Sequence, residues 1–363
     1  MVLRLTAEQA RRIAVRAQLL TAERPAGIVE TIDALTVVNI EPTAAIAPSA
    51  DLILWSRLGW PYQPADLVRL VERDRAVFEW GGFYRTMADL ALLLPEMRRR
   101  PESIQAREWL AANDVFRRDV IARLRAEGPL HAADIPDAAQ VPWRSSGWTN
   151  NRNSLQLLEI LVLCGEVAVS SRDAAGRLFD VADRVYPADV PVLSDEDAAR
   201  ERAQRRLAAL GVARAKAAQS PEPIDVGEIG EAAVVEGVEG EWRVDPAALE
   251  AGDGFAARTA LLSPFDRLVF DRKRLTELFG YGYLLEMYKP AAQRRWGYFA
   301  LPILHGDRFI GKLDAKADRK AGVLRVHAVH EDVPFTEDTS AAVHSEIERL
   351  AQWLGLEVTE ASR

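Results

Sequence analysis

Apolar and polar positions alternate along the 363-residue chain in a way that divides it into helical and extended stretches. "LTAEQARRIAVRAQLL" runs at helical period, with Thr6 at an N-cap position and Glu8 nearby. "SADLILWSRLG" and "QPADLVRLVERDRAVFEW" predict two more short helices. "AVFEWGGFYRTMADL" reads as a strand, a turn at Gly81-Gly82 and a second strand. Helices followed by a two-stranded wing is winged-helix order, and it recurs further on. "NDVFRRDVIARLRAEGPL" is a helix stopped by Gly128-Pro129, and "HAADIPDA" places Asp134 near a short second helix. A third helix opens with Asn150, Asn151, Arg152 and Asn153. It leads to a strand "EVAVSSR", a turn over 173–176 and a returning strand "RLFDVADRV".

The pattern therefore predicts an α+β protein with tandem winged-helix (helix-turn-helix) domains at 1–110 and 111–192. Segment 193–255 opens with a helix, "SDEDAARERAQRRLAALGVAR", capped by Ser194 and Asp195 and ended near Gly211. Its remainder is acidic and helix-poor, a degenerate third winged helix or a linker. From 256 to 363 the texture becomes β-rich and basic. "RWGYFALPILHGDRFIGKLDAKADRKAGVLRVHAV" predicts about four short antiparallel strands, a small C-terminal β-barrel or sheet, before a closing helix "TSAAVHSEIERLAQWLGL".

Composition narrows the chemistry. Cys164 is the single cysteine, so intramolecular disulfides and cysteine-rich zinc sites are excluded and a reducing cytoplasm is the expected compartment. His327 and His330 are three apart in a predicted strand, which turns them to opposite faces and makes a poor metal pair. No metal or other cofactor is expected. No apolar stretch has the roughly 18 residues needed to span a bilayer, so no membrane partner is expected either.

The net charge of −8 argues against nucleic acid as a partner, but its distribution argues the other way. Acids outnumber Lys and Arg by fourteen to seven between Asp195 and Asp253. Between Ala256 and His330 the ratio is reversed, with fourteen Lys and Arg against seven acids. Arg272, Arg274, Arg294, Arg295, Lys312, Lys316 and Arg319 are the candidates for a basic surface facing DNA. Asn151 and Arg152 start the last helix of the second winged-helix pattern, where such proteins contact base edges and phosphates. Trp143 and Trp148 flank this start; packing under the helix is the expected role, with wedging against bases the alternative.

One polar pair stands in oily surroundings. "VVNIEP" sets Asn39 and Glu41 on either side of Ile40. Side chains two apart share one side of an extended segment, so the pair can converge on a reacting group. The plainer reading is a loop whose polar residues hydrogen-bond the local backbone.

"LLSPFDRLVFDRKRL…LFGYGYLLEMYKPAAQRRWGYFALPILHGDRFIGKLDAKADRKAGVLRV" resembles the C-terminal module of the winged-helix interstrand-crosslink-repair DNA glycosylases, the YcaQ/AlkZ-like group. The upstream helix-and-wing arrangement is similar too. The resemblance implies a C-shaped clamp on double-stranded DNA and metal-free hydrolysis of the N-glycosidic bond of N7-alkylated purines, crosslinked ones included. The family's catalytic motif is Gln, an aliphatic residue, then Gln or Asp. The matching positions are Asn39, Ile40 and Glu41: an amide on a shorter stem, the aliphatic residue retained, and a carboxylate on a longer stem. Glu41 is then expected as the water-activating group and Asn39 as the positioning group; a monomer associated with the nucleoid is expected as well. The alternative is a duplex-binding winged-helix protein without catalysis.

Overall fold

The computed structural model describes residues 2–145, 147, 150–218, 220, 222–250 and 254–360. They form two compact units. One joins the residues up to Pro64 with those from Ala203 onward, and the other is Ala65–Arg202.

In the Ala65–Arg202 unit, strands Val77–Trp80 and Phe83–Thr86 pair antiparallel through Gly81 and Gly82. Both glycines have positive φ, a conformation without steric penalty only for glycine. Helices Leu90–Arg99 and Ile104–Ala112, which the sequence pattern left unplaced, lead to the expected helix Asp114–Glu127. The next long helix is Asn153–Leu163, so the asparagine run precedes the helix and only Asn153 lies in its first turn. Strands Val167–Asp173 and Gly176–Val181 form the second hairpin, with Leu130–His131 pairing on its other edge. The returning strand is shorter than the sequence suggested, because Ala182–Val185 turns helical. Phe116, Val120 and Leu124 from one helix meet Leu157 and Leu161 from another over Val167 and Phe179 of the hairpin. Each such buried side chain stabilises the fold by about 1.5–3 kcal/mol relative to exposure.

The other unit opens with Leu3–Leu5, a strand that the helical pattern concealed. Thr6 then caps helix Ala7–Ala17 in a reciprocal box whose partner is Gln9, not Glu8. Leu3–Leu5 pairs parallel with Glu231–Val235. Trp242–Val244 and Val212–Arg214 extend the sheet antiparallel. The helix-poor part of segment 193–255 is thus sheet, with Ala233, Val235, Trp242 and Val244 turned into a core shared with Leu5 and Ile13.

A second sheet runs Thr259–Leu261, Leu301–His305, Arg308–Asp318 and Val323–Glu331, antiparallel in that order. Glu357–Glu360 adds a fifth, parallel strand. Between the first two strands lie helices Arg267–Phe270 and Arg272–Phe279, where the texture had suggested β structure. Asp266 and Asp271 accept hydrogen bonds from the first-turn amides of these helices, a capping signal that the aromatic content of the stretch obscured. Helix Glu337–Trp353, capped by Thr336, follows the sheet. Among the described residues, no helix is long and apolar enough to cross a membrane.

Candidate active site

Asn39 ends a short extended stretch, Val38–Asn39, and the chain then loops to helix Ser49–Leu58. Val37, Val38, Ile46 and Ala47 are buried and pin the two ends of this loop, leaving Asn39, Glu41 and Thr43 half-buried between them. Two bonds close it: the Ser49 N–H donates to the Glu41 carbonyl (3.1 Å), and the Ala317 N–H donates to the Ala45 carbonyl (2.9 Å). The helix that follows is anchored through the Ser49 and Ser263 hydroxyls, 2.9 Å apart, and through Arg57, whose guanidinium pairs with Asp266 in full burial. A buried pair of this kind is costly to break from one side, so it fixes the helix firmly in place.

Within the loop, the local hydrogen bonding anticipated by the plainer reading is present. The Asn39 Oδ1 accepts from the Glu41 N–H at 2.8 Å. The Glu41 Oε1 accepts from the Thr43 N–H at 3.1 Å and from the Thr43 hydroxyl at 2.6 Å. Those bonds use one end of each side chain. Among the described residues nothing donates to Glu41 Oε2, and Asn39 Nδ2 has no acceptor. The carboxylate is therefore oriented by two donors and keeps one oxygen open.

Thr43 and Ala45 form one wall of a cleft of about 800 Å³. Its other walls carry Arg294, Tyr298, Asp314, Lys316, His327 and His330, all from the same unit. His327 and His330 do not face opposite ways, contrary to expectation. Asp314 pairs with Ala328 and Ala315 with Val326, so His327 has no partner across the strands. This β-bulge shifts the strand's phase, as bulges do next to functional sites, and both imidazoles border the cleft. Arg294, His327 and His330 all act electrostatically on Asp314, pulling its carboxyl down, while burial, the larger effect, pushes it above the ordinary value. Among the described residues, no group of three or more His, Cys, Asp or Glu side chains is arranged to hold a metal ion.

The expected basic surface divides sharply. Arg274 is 2% exposed and donates to the Leu210 and Val212 carbonyls at 2.7 and 2.9 Å; burial brings its pKa down to about 10. Lys312 is also 2% exposed, bound to Asp332 Oδ2 at 2.6 Å between the Tyr281 and Trp296 rings. Both are interior residues, which corrects their assignment to a DNA-facing surface. Arg272 is held internally as well, by the Val269 and Pro264 carbonyls, over the Tyr283 ring at 4.5 Å. Arg294, Arg295 and Lys316 line the cleft, and Arg319 is exposed beside the Ile46 carbonyl.

In the Ala65–Arg202 unit, Asn151 is exposed with positive φ, and its Oδ1 accepts from Arg144 at 3.4 Å. Arg152 is exposed at the N-cap of helix Asn153–Leu163 and borders a shallow cleft with His131 and Arg177. Trp143 packs edge-on against Trp109 at 5.4 Å, a packing role. Trp148 lies outside the described residues.

Asp314 and Thr43 were not singled out in the sequence. The Thr two residues past Glu41 is a signal of the local hydroxyl–carboxylate bond. Nothing in the local sequence marks the bulge that gathers Asp314, His327 and His330.

A family model described as "DNA glycosylase AlkZ-like" matches residues 32–353. Among solved structures, the chain is similar to the Streptomyces sahachiroi DNA glycosylase AlkZ. Identity is 16% and the TM-score 0.66, over 99% of this chain and 100% of that one. At that identity the likeness concerns the fold.

Proposed function

The chain belongs to the AlkZ-like DNA glycosylase family, and we propose that within this activity it excises N7-alkylated purines from duplex DNA, crosslinked ones included, with Glu41 activating the water. The observation that carries this reading is the Glu41 carboxylate itself: its Oε1 is fixed by Thr43, a residue that lines the cation-bearing cleft, and among the described residues nothing donates to its Oε2.

Breaking the bond between C1′ and the base nitrogen passes through an oxocarbenium-like state, in which positive charge develops on the sugar. A preorganised carboxylate stabilises that charge and takes a proton from the incoming water. An N7-alkylated purine already carries positive charge and departs as a neutral base, so it needs no separate acid. Asn39, with its amide nitrogen unengaged, orients the water or the sugar. A base crosslinked to the opposite strand cannot swing freely out of the helix. An open cleft that receives DNA from the side suits it better than a closed pocket.

Arg294, Arg295, Lys316 and Arg319 supply phosphate contacts on one unit, and Asn151 and Arg152 supply contacts on the other. The helix-and-hairpin order of 1–110 and 111–192 supports tandem winged helices, and the five-stranded sheet supports the small C-terminal barrel. We place the protein in the cytoplasm at the nucleoid, acting as a monomer.

The test is a duplex carrying a single N7-methylguanine, with abasic sites scored by alkaline strand cleavage. Glu41→Gln is expected to slow cleavage by about 10²–10⁴-fold, the range for loss of a positioned acid–base group, while duplex affinity is retained or raised. Undiminished cleavage by that variant removes Glu41 from the mechanism. A wild-type protein that binds duplex yet leaves no abasic sites supports the non-catalytic alternative, which the local hydrogen bonds of Asn39 and Glu41 would then explain.

A further inference from the structure

The shallow cleft in the Ala65–Arg202 unit, about 520 Å³, is bordered by a histidine that the glycosylase chemistry does not use. His131 ends the short strand that pairs with Gly176–Val181, opposite Leu178. Its ring lies between two acceptors. Nδ1 is 3.0 Å from the Arg177 carbonyl oxygen, and Nε2 is 3.1 Å from Asp173 Oδ2. The other Asp173 oxygen already accepts from the Ala175 N–H at 2.7 Å, which holds that carboxyl below the ordinary range and ionised. Neither partner of the ring therefore has a hydrogen to give. A neutral imidazole donates from one nitrogen only and would turn a lone pair towards the second acceptor. Both bonds exist together only in the imidazolium.

That cation sits where it fixes a turn. Asp173 and Gly176 close the second hairpin, and Ala174 and Ala175 between them are exposed. Charges reach the ring from each element around it. Asp173 and Arg177 belong to the hairpin, Asp134 to the turn after His131, and Asp137 and Arg152 to the approach to helix Asn153–Leu163. The Arg177 guanidinium is engaged by Glu159 of that helix and by Glu79. Arg152 is thus the outward-facing cation of the cleft, set among three aspartates, and the imidazolium offsets the one at the turn. Burial of the ring disfavours its charge, but Asp173, the Arg177 carbonyl and Asp134 outweigh burial and raise its pKa above the ordinary histidine value.

We propose that His131 is a positioning residue for DNA: as an imidazolium it pins the hairpin turn and neutralises Asp173, so that a phosphate can approach Arg152. It touches no substrate itself, because both ring nitrogens are engaged inside the unit. Loss of the proton turns one of the two bonds into a contact between a lone pair and an oxygen. The turn is then released, with an uncompensated carboxylate near Arg152. A phosphate nearby favours the charged ring, so binding and protonation support each other. Duplex affinity is therefore highest below the ring's pKa in the free protein and falls as pH rises through it. The inference rests on the reading of this face as a duplex contact and adds how that contact is held and when it is lost.

Two measurements on the whole chain test it. The first is proton NMR of the histidine rings, with the His131 signal identified by its absence from the spectrum of His131→Gln. Its titration midpoint is expected above the ordinary value of about 6.5, and closer to that value in Asp173→Asn. A midpoint at or below the ordinary value overturns the clamp. The second is affinity for an undamaged duplex at fixed salt, followed from about pH 6 to about pH 9, the range in which histidine changes charge. His327 and His330 titrate there too, so the difference between wild type and His131→Gln isolates this ring. Wild type is expected to lose about three- to tenfold more affinity across the range than the variant, the effect of one screened charge near a phosphate. His131→Lys carries donors for both acceptors and a charge that persists to higher pH. It is expected to match wild type at the acid end and to lack this part of the pH dependence. Parallel profiles for wild type and His131→Gln, with duplex bound by both, remove His131 from binding and leave the glycosylase reading intact. A ring that titrates as expected in a protein that binds no duplex at any pH overturns the duplex reading, and this role with it.

Discussion

Two polar stretches look alike in sequence and behave differently in the fold: Asn39–Glu41 in one unit and Asn150–Asn153 in the other. In the second, the buried Asn153 serves the scaffold. The Asn150 Oδ1 accepts from the Ser145 N–H, and Asn153, buried, is engaged at both ends of its amide, by the Trp143 N–H at 2.6 Å and by Asp137 at 2.7 Å. In the first, each side chain is held at one end only. A held and open group is preorganised for a ligand, whereas a group held at both ends is part of the frame. Residue type does not separate Asn39 from Asn153; the count of engaged atoms does.

Three substitutions test that contrast. Asn153→Ala has the largest expected effect and it falls on stability. The buried amide loses both its bonds, one to the half-buried Trp143 N–H and one to the exposed Asp137, lowering stability by about 1–2 kcal/mol, visible as an earlier thermal transition. Excision per folded molecule should be unchanged, and a slower rate at full folding would put Asn153 in the site. Thr43→Val removes the hydroxyl that orients Glu41 but retains the backbone donor. Excision is expected to slow about tenfold, in keeping with small losses of positioning, with duplex affinity unaltered in a titration. Equal losses in rate and affinity would make Thr43 a binding residue. Arg152→Ala is the mildest. Duplex affinity should fall severalfold and the slope of log K against log salt by about one. An unchanged slope would mean that Arg152 reaches no phosphate.

Much of this was legible from sequence, and the failures share a cause. The helix periods of Ser49–Leu58 and Asp114–Glu127 and the Gly81-Gly82 turn are local signals, and the structure has each of them where the pattern places it. Glu41 stood out because a carboxylate in an apolar stretch is itself unusual. What escaped depends on partners distant in the chain. Arg274 looks like surface until the carbonyls of Leu210 and Val212 arrive to accept from it. Lys312 looks like surface until Asp332, Tyr281 and Trp296 enclose it. His327 and His330 alternate in a regular strand and coincide only once the register with Asp314 and Ala315 is known. Leu3–Leu5 is too short to be a strand without Glu231–Val235 beside it.

That last pairing makes the first unit discontinuous, and the discontinuity sets a timetable for synthesis. Residues 65–202 leave the ribosome complete and can fold while the unit that precedes them is still missing its second half. Glu41 and Thr43 are among the first residues made, but the cleft that Thr43 lines is walled by residues up to His330. At about 5–20 residues per second, roughly 15–60 s separate the two. A nascent chain therefore carries Glu41 and Thr43 for most of its synthesis with the cleft still unwalled, and the cleft is complete only with the final strands.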